Sequence, residues 1–417
     1  MTTRSLSVWW DKGLVGALRL DQHGDLGFVY DQAWLDAPAR PPISQSLPKR
    51  AEPFNRRETR PFFAGLLPEE SQREVVAQNL GISKANDFRL LEALGGDVAG
   101  ALTLWPEGEV PPMARGLADA QPLDDVELIE ILDILPKRPM LAGREGLRLS
   151  LAGAQQKLPV VLVNGRVALP QPGQPTTHIL KPPIERFPAT TENEAFAMRL
   201  AAAVGLQVAP VEPRRIANRT FLLVERYDRD TGADGQVQRL HQEDFCQALG
   251  VPPENKYASE GGPGFKACFD LVRTACSAPA PAILRLLDAA IFNVVVGNAD
   301  AHGKNFSLIY TGQTIDFAPL YDLLCTAAYP ALSPNFAMRV AKRPTLAEFK
   351  PDTWARFAED VGVAAPYTRR RVQTLARAMT EKASKVVTVL AETGLDASAL
   401  ASFADIVRDR ADGFLNI

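Results

Sequence analysis

Phe292-Asn293-Val294-Val295-Val296-Gly297-Asn298-Ala299-Asp300-Ala301-His302-Gly303-Lys304-Asn305 decides the reading of this chain. The apolar run 289–296 reads as a buried element. It delivers a dense polar loop in which Asn298, Asp300, His302, Lys304 and Asn305 fall within eight residues. Phe306-Ser307-Leu308-Ile309-Tyr310 then resumes the alternation of a strand. A polar cluster held between two buried elements is where a rigid scaffold presents chemistry.

The bulk numbers narrow what that chemistry serves. The chain has 417 residues, enough for two or three domains, with 46% hydrophobic and 23% charged residues, as in ordinary globular proteins. A net charge of -3 and a pI near 6.0 argue against nucleic-acid binding by bulk charge. Cys246, Cys268, Cys276 and Cys325 form no C-x-x-C pair and sit beside apolar residues, as buried reduced thiols do. His23, His178, His241 and His302 are scattered, which leaves no zinc constellation. Trp9-Trp10-Asp11-Lys12 interrupts any signal-peptide apolar region, and no run of eighteen apolar residues occurs. The expectation is a cytoplasmic protein with no membrane span.

Outward from the loop, the spacing Asp300-x-x-x-x-Asn305 is that of a kinase catalytic loop. There the aspartate receives the substrate hydroxyl proton and the asparagine holds a metal ion. Asp322 follows 22 residues after Asp300, and Asp316 competes with it as a second metal-gripping carboxylate. Asp322 is flanked by apolar residues and needs a cation or donor more urgently. Upstream, Leu147–Leu162 reads as strand, small-residue loop and strand. Ala152, Gly153 and Ala154 let backbone N–H groups approach an anion, and Gln155 and Lys157 add donors. A tight hairpin with no ligand fits that stretch equally well. The alternation of His178-Ile179-Leu180-Lys181 puts Lys181 on an apolar strand face, where its ammonium needs an anion. Thr191-Glu192-Asn193-Glu194 reads first as a capping box and second as the source of a glutamate partner for Lys181. Leu222-Leu223-Val224-Glu225-Arg226-Tyr227 runs from apolar strand into a polar exit, where a kinase hinge would lie.

Elsewhere the pattern gives strands near residues 6–10, 14–20, 25–30 and 100–105. It gives an extended segment over 37–60, a helix with Pro68 in its first turn, and a linker over 106–116. Helices are expected over 242–249, 281–296 and the tail from 346, where Arg369-Arg370-Arg371 reads as a solvated face. Gly95-Gly96-Asp97-Val98-Ala99-Gly100 lacks the preceding strand and G-x-G opening of a dinucleotide fingerprint. The loop 256–264, with Gly261-Gly262-Pro263-Gly264, has no role readable from sequence. The fold expected is α+β and protein-kinase-like, two-lobed, with a β-rich N-terminal subdomain (1–110), a nucleotide-binding N-lobe (111–230) and a helical C-lobe (231–417).

The ordered parts also resemble the HipA-like serine/threonine kinases, the toxins of bacterial HipBA-type toxin–antitoxin modules. The resemblance runs over nearly the whole chain. It is carried by Phe62-Phe63-Ala64-Gly65-Leu66-Leu67-Pro68-Glu69, Ser150-Leu151-Ala152-Gly153-Ala154-Gln155-Gln156-Lys157, His178-Ile179-Leu180-Lys181 and Glu192-Asn193-Glu194. It continues in Val224-Glu225-Arg226-Tyr227-Asp228, Gln242-Glu243-Asp244, the glycine cluster, the Gly297-to-Asn305 loop and Pro319-Leu320-Tyr321-Asp322. The resemblance implies Asp300 as catalytic base, with Lys304 and His302 beside it, and Asn305 and Asp322 as Mg2+ ligands. It implies that ATP is held by Ser150, Ala152, Gly153, Ala154, Gln155 and Lys157, by Lys181, by Glu225, Arg226 and Tyr227, and by Tyr321. Ser150 would be an autophosphorylation site whose phosphate silences the enzyme. The implied partners are a helix-turn-helix antitoxin of the HipB type, operator DNA through that antitoxin, and a protein substrate such as an aminoacyl-tRNA synthetase. Two departures stand out: Gln156 replaces a glutamate common in the family loop, and Ala301 and Gly303 exchange the small residues of the catalytic loop. Neither removes a functional side chain. A nucleotide-binding regulatory module that acts with an antitoxin without turnover, or a small-molecule kinase of related fold, are the competing readings. The intact Asp300, Asn305, Asp322 and Lys181 set speaks against the first.

Overall fold

The computed structural model describes residues 4–112 and 116–415, so the linker expected over 106–116 lies partly outside the described residues. The chain divides into two compact units, each assembled from three pieces. The first is Met1–Pro182, Glu225–Glu254 and Ile309–Thr314; the second is Pro183–Val224, Asn255–Leu308 and Ile315–Ile417.

The first unit opens with an antiparallel sheet in the order Leu26–Tyr30, Gly13–Leu20, Arg4–Trp10, Leu102–Pro106. Alternation sends Leu6, Val8 and Trp10 to one buried face. Nearby, Phe28 meets Phe54, Phe63 and Tyr30 with ring centroids 4.8–6.2 Å apart. Helix Arg56–Ala64 begins inside the segment expected to be extended. Asn55 caps it, and Glu58 closes a capping box back to the Asn55 N–H. The next helix is Glu70–Leu80, so Pro68 precedes it rather than sitting in its first turn. Glu69 occupies the cap position without capping, because its carboxylate accepts from the Gly153 N–H instead.

Strands Arg166–Ala168, Leu158–Val163 and His178–Lys181 pair antiparallel in that order. The stretch 147–157 supplies no first strand. Its main chain goes to Asp97, through a single parallel bridge at Leu149. The helix expected over 242–249 is a strand, His241–Asp244, followed by one turn, Phe245–Ala248, that Asp244 caps. Extension there buries Glu243, which accepts from Ser44 Oγ, Tyr310 Oη and the Gln45 N–H.

The second unit carries the hairpin Val211–Ile216 with Arg219–Glu225 and most of the helical mass. Helix Thr190–Ala203 starts one residue before the expected capping box. Thr191 and Glu194 therefore lie buried within it, and the cap position, Ala189, makes no side-chain bond. Helices Phe265–Ala275, Pro279–Val296, Thr353–Val361, Ala365–Ala391 and Ala397–Leu415 build its core. Phe357 meets Phe265, Phe269 and Trp354 edge to face at 5.3–6.0 Å. Arg369 and Arg370 are exposed, whereas Arg371 leaves the solvated face to grip Asp288 through two bonds, at 2.5 and 2.7 Å. Among the described residues, Pro279–Val296 alone has the length and composition of a membrane span, and 61% of it is buried inside the protein as in a core helix. All four cysteines are buried.

Candidate active site

Two loops carry the residues singled out from the sequence. In the first unit the glycine loop is pinned at several points. Ser150 is fully buried; its hydroxyl donates to Leu66 O at 2.7 Å and its N–H to Asp97 O at 3.0 Å. Gly153 exchanges two bonds with Glu69: its N–H donates to Glu69 Oε1 at 3.1 Å, and its carbonyl accepts from the Glu69 N–H at 3.3 Å. Its φ of 109° requires glycine, and a Cβ there would stand 2.5 Å from Lys157 Nζ. That ammonium closes the turn by donating to Ala152 O at 2.6 Å. Ala152, Ala154 and Gln155 are half-buried around it. The result is a small-residue turn with a lysine folded over it, a form suited to an anion. Lys181 lies at the end of its strand, 6% exposed.

The strand exit is more committed than the sequence suggests. The Arg226 N–H donates to Thr177 O at 2.9 Å, and its carbonyl accepts from the Arg229 N–H at 3.2 Å. Its guanidinium contacts Asp97, Asp228, Thr176 Oγ1 and Val98 O at 2.8–3.2 Å. Arg229 and Arg239 add bonds to Asp97 at 3.0 and 3.1 Å. Burial alone would raise the Asp97 pKa, but the guanidiniums of Arg229, Arg226 and Arg239 outweigh it and hold the carboxyl well below the usual range. Arg226 is thus occupied in fixing the exit. Glu225 is exposed and Tyr227 half-buried beside it, the Tyr227 hydroxyl bonded to Gln242. Asp97 is the residue the sequence reading missed. It binds the glycine loop by its main chain and the strand exit by its carboxylate. Its only local signal was a charge immediately before the largely apolar stretch 98–104.

In the second unit, helix Pro279–Val296 ends at Gly297. Asn298 then aims the loop: its Nδ2 donates to Asn293 Oδ1 at 2.8 Å, and its Oδ1 accepts from the Asp300 N–H at 3.0 Å. The Asp300 carboxylate is exposed and accepts from the Tyr257 hydroxyl at 3.0 Å. His302 and Lys304 are each 7% exposed. The His302 N–H donates to Asn305 Oδ1 at 3.0 Å, and Asn305 Nδ2 donates to Asp322 Oδ2 at 3.2 Å. Tyr321 braces the loop from below, donating to Lys304 O at 2.7 Å beside Ser307 Oγ.

Of the competing carboxylates, Asp322 therefore stands next to Asn305, while Asp316 is engaged by Arg285 and by the Phe317 N–H. Asp322 adopts φ 57°, a left-handed conformation that aspartate tolerates better than most residues. Asn305 and Asp322 are adjacent side chains that each carry a hard oxygen donor; here Asn305 Oδ1 accepts from the His302 N–H and its Nδ2 faces the Asp322 carboxylate. Magnesium takes one or two such side chains and completes its shell with waters and phosphate oxygens. The residues present fit that ion, and among the described residues no group of three or more His, Cys, Asp or Glu is placed to hold a metal.

The chain matches the family model of the HipA N-terminal domain over residues 6–105 and that of the HipA-like C-terminal domain over residues 149–387. It is 62% identical over 413 residues to "Putative kinase Y4mE" of Sinorhizobium fredii, covering 99% of this chain and 98% of that protein. It is 29% identical to the serine/threonine-protein kinase toxin HipA of Shewanella oneidensis, covering 93% and 91% of the two chains. HipA solved from that organism, in complex with HipB and operator DNA, superposes with a TM-score of 0.85 at 27% identity over 99% of both chains. That match bears out the α+β, kinase-like fold expected from the order of motifs. With both family models matched in sequence order, and the Asp300–Asn305 loop inside the second, the chain belongs to the HipA-like family of serine/threonine-protein kinases.

Proposed function

We propose that this protein is an ATP- and Mg2+-dependent protein kinase acting in the cytoplasm as the toxin of a type II toxin–antitoxin pair. The observation that carries the reading is the exposed Asp300 carboxylate on the same short loop as Asn305, whose amide lies 3.2 Å from Asp322. Asp300 receives the proton of a serine or threonine hydroxyl as that oxygen attacks the γ-phosphorus and the bond to ADP breaks. Asn305 and Asp322 hold Mg2+, which when bound neutralises phosphate charge. Lys181 contacts the ATP phosphates, Lys157 and the loop 152–155 cradle them, and Glu225 and Tyr227 border the adenine. Lys304 offsets charge on the transferred group, and His302 orients the loop rather than acting as a base. Residues 1–110, 111–230 and 231–417 form the supporting subdomain, nucleotide lobe and catalytic lobe.

Phosphorylation of Ser150 by the enzyme itself silences it. The solved relative's assembly with HipB and DNA supports a helix-turn-helix antitoxin of that type as partner, and operator binding through it. The substrate is a cytoplasmic protein of translation, with an aminoacyl-tRNA synthetase as the first candidate. The test is incubation with labelled ATP and a bacterial lysate, followed by identification of labelled species. Labelled protein bands that require Mg2+ are expected. Normal ATP binding without any transfer would instead favour a regulatory module that binds nucleotide and antitoxin without turnover.

A further inference from the structure

We propose that Tyr257 is a positioning residue for the catalytic carboxylate, and that the glycine cluster 261–264 serves to hold it there. This rests on the reading of Asp300 as the base. The Tyr257 hydroxyl donates to Asp300 Oδ1 at 3.0 Å, and its ring meets His302 edge to face at 5.2 Å. The ammonium of buried Lys256 lies 5.4 Å from the same ring. One phenol therefore touches the carboxylate and packs on the loop that bears it.

The backbone explains why Tyr257 stays in place. Its carbonyl accepts from the N–H groups of Glu260 and Gly262, both at 2.9 Å, so the chain folds straight back on itself. Gly262 comes so close in that fold that a Cβ would stand 2.4 Å from Asn255 O and 2.7 Å from Lys256 O. The glycine is thus a packing requirement of the turn that presents Tyr257. A second tie runs through Ala337, whose carbonyl accepts from the Ala258 N–H at 3.2 Å and whose N–H donates to Ala299 O at 2.7 Å. The neighbours of Tyr257 and of Asp300 are bound to one residue, which fixes the two side chains relative to each other.

A hydrogen bond to one carboxylate oxygen fixes the plane of the group and hence the direction of the other oxygen. A base held in that way meets the substrate hydroxyl without a search over rotamers. Tyr257→Phe removes the donor and keeps the ring against His302, so the fold is retained. The expected result is a fall in kcat of about tenfold, from the loss of one hydrogen bond to a charged group, with KM for ATP changed less than about twofold. A separate reading follows the 13C carboxyl resonance of Asp300, assigned by its disappearance in Asp300→Asn; it should shift in Tyr257→Phe whether or not the enzyme turns over. Wild-type kcat, or an unmoved resonance, overturns the role of Tyr257. An Asp300→Asn enzyme that still transfers phosphate overturns the base assignment itself, and the resonance then still reports whether the contact exists.

Discussion

Adding charge at Ser150 sets two quantities from the structure against each other. The loop is retained by Ser150 Oγ to Leu66 O, Ser150 N–H to Asp97 O, Asp97 N–H to Arg148 O, and the two bonds between Gly153 and Glu69. At about 1 kcal/mol for a neutral bond and about 2 for one to a carboxylate, these hold it by roughly 6 kcal/mol. A charge at this fully buried position meets the Leu66 carbonyl, an acceptor, and costs several kcal/mol per ion even after relaxation. Ser150→Glu therefore sits near balance. A phosphoserine, with about -1.5 to -2 charges, exceeds the retaining bonds and drives the loop out. Ser150→Ala loses one hydrogen bond and leaves a buried carbonyl unpaired, about 1–3 kcal/mol, too little to release it. Hydrogen-exchange mass spectrometry over residues 147–158 should rank protection as wild type, alanine, glutamate, phosphoserine, with ATP affinity in the same order. A phosphorylated protein with wild-type protection and ATP affinity would show that charge at Ser150 does not release the loop.

Two further outcomes follow from the same geometry. Asp322→Asn should lower phosphoryl transfer by at least about a hundredfold and raise the Mg2+ needed, while Asp316→Asn, which loses only its contacts with Arg285 and the Phe317 N–H, should leave the Mg2+ requirement unchanged; titration of activity with Mg2+ decides, and the reverse ranking would reassign the ligand. Burial pushes the Glu243 carboxyl up to about 7 from an ordinary 4.5, despite donors from Ser44, Tyr310 and Gln45. Between those values the unfolded chain is ionised while the folded one keeps its proton, so this group's stabilisation is full below 4.5 and lost as pH rises through 7. Unfolding free energies of wild type and Glu243→Gln should thus diverge by about 3 kcal/mol between pH 4.5 and 7.5, the wild type losing ground; parallel curves would contradict it.

How far the sequence could be read depended on where each residue's partner lies along the chain. The loop 297–305 was legible as a candidate site because several of its ties are local. Asn298 Oδ1 accepts from the Asp300 N–H and Asn305 Oδ1 from the His302 N–H, each within three residues, and the apolar helix before them is visible as a run. The choice between Asp316 and Asp322 was not local, since it turns on Arg285, 31 residues before Asp316. The capping box at Thr191 failed for a related reason. Helix Thr190–Ala203 is buried along most of its length, and its burial overrode a cap suited to an exposed terminus. Helical periodicity over 242–249 likewise yielded to the burial of Glu243 among donors from residues 44, 45 and 310. The Asp97 cluster joins residues up to 142 positions apart, so no window of sequence contains it.

The proposed role of Asp300 is to take the hydroxyl proton during phosphoryl transfer. It is tested most directly by phosphoryl transfer from labelled ATP to protein, wild type against Asp300→Asn, with folding and ATP binding checked in both. The Asp300 carboxylate is exposed, and asparagine has nearly its shape, so the variant should fold and bind ATP normally. Transfer in Asp300→Asn should fall to background; undiminished transfer in a folded, ATP-binding variant would rule out Asp300 as the base.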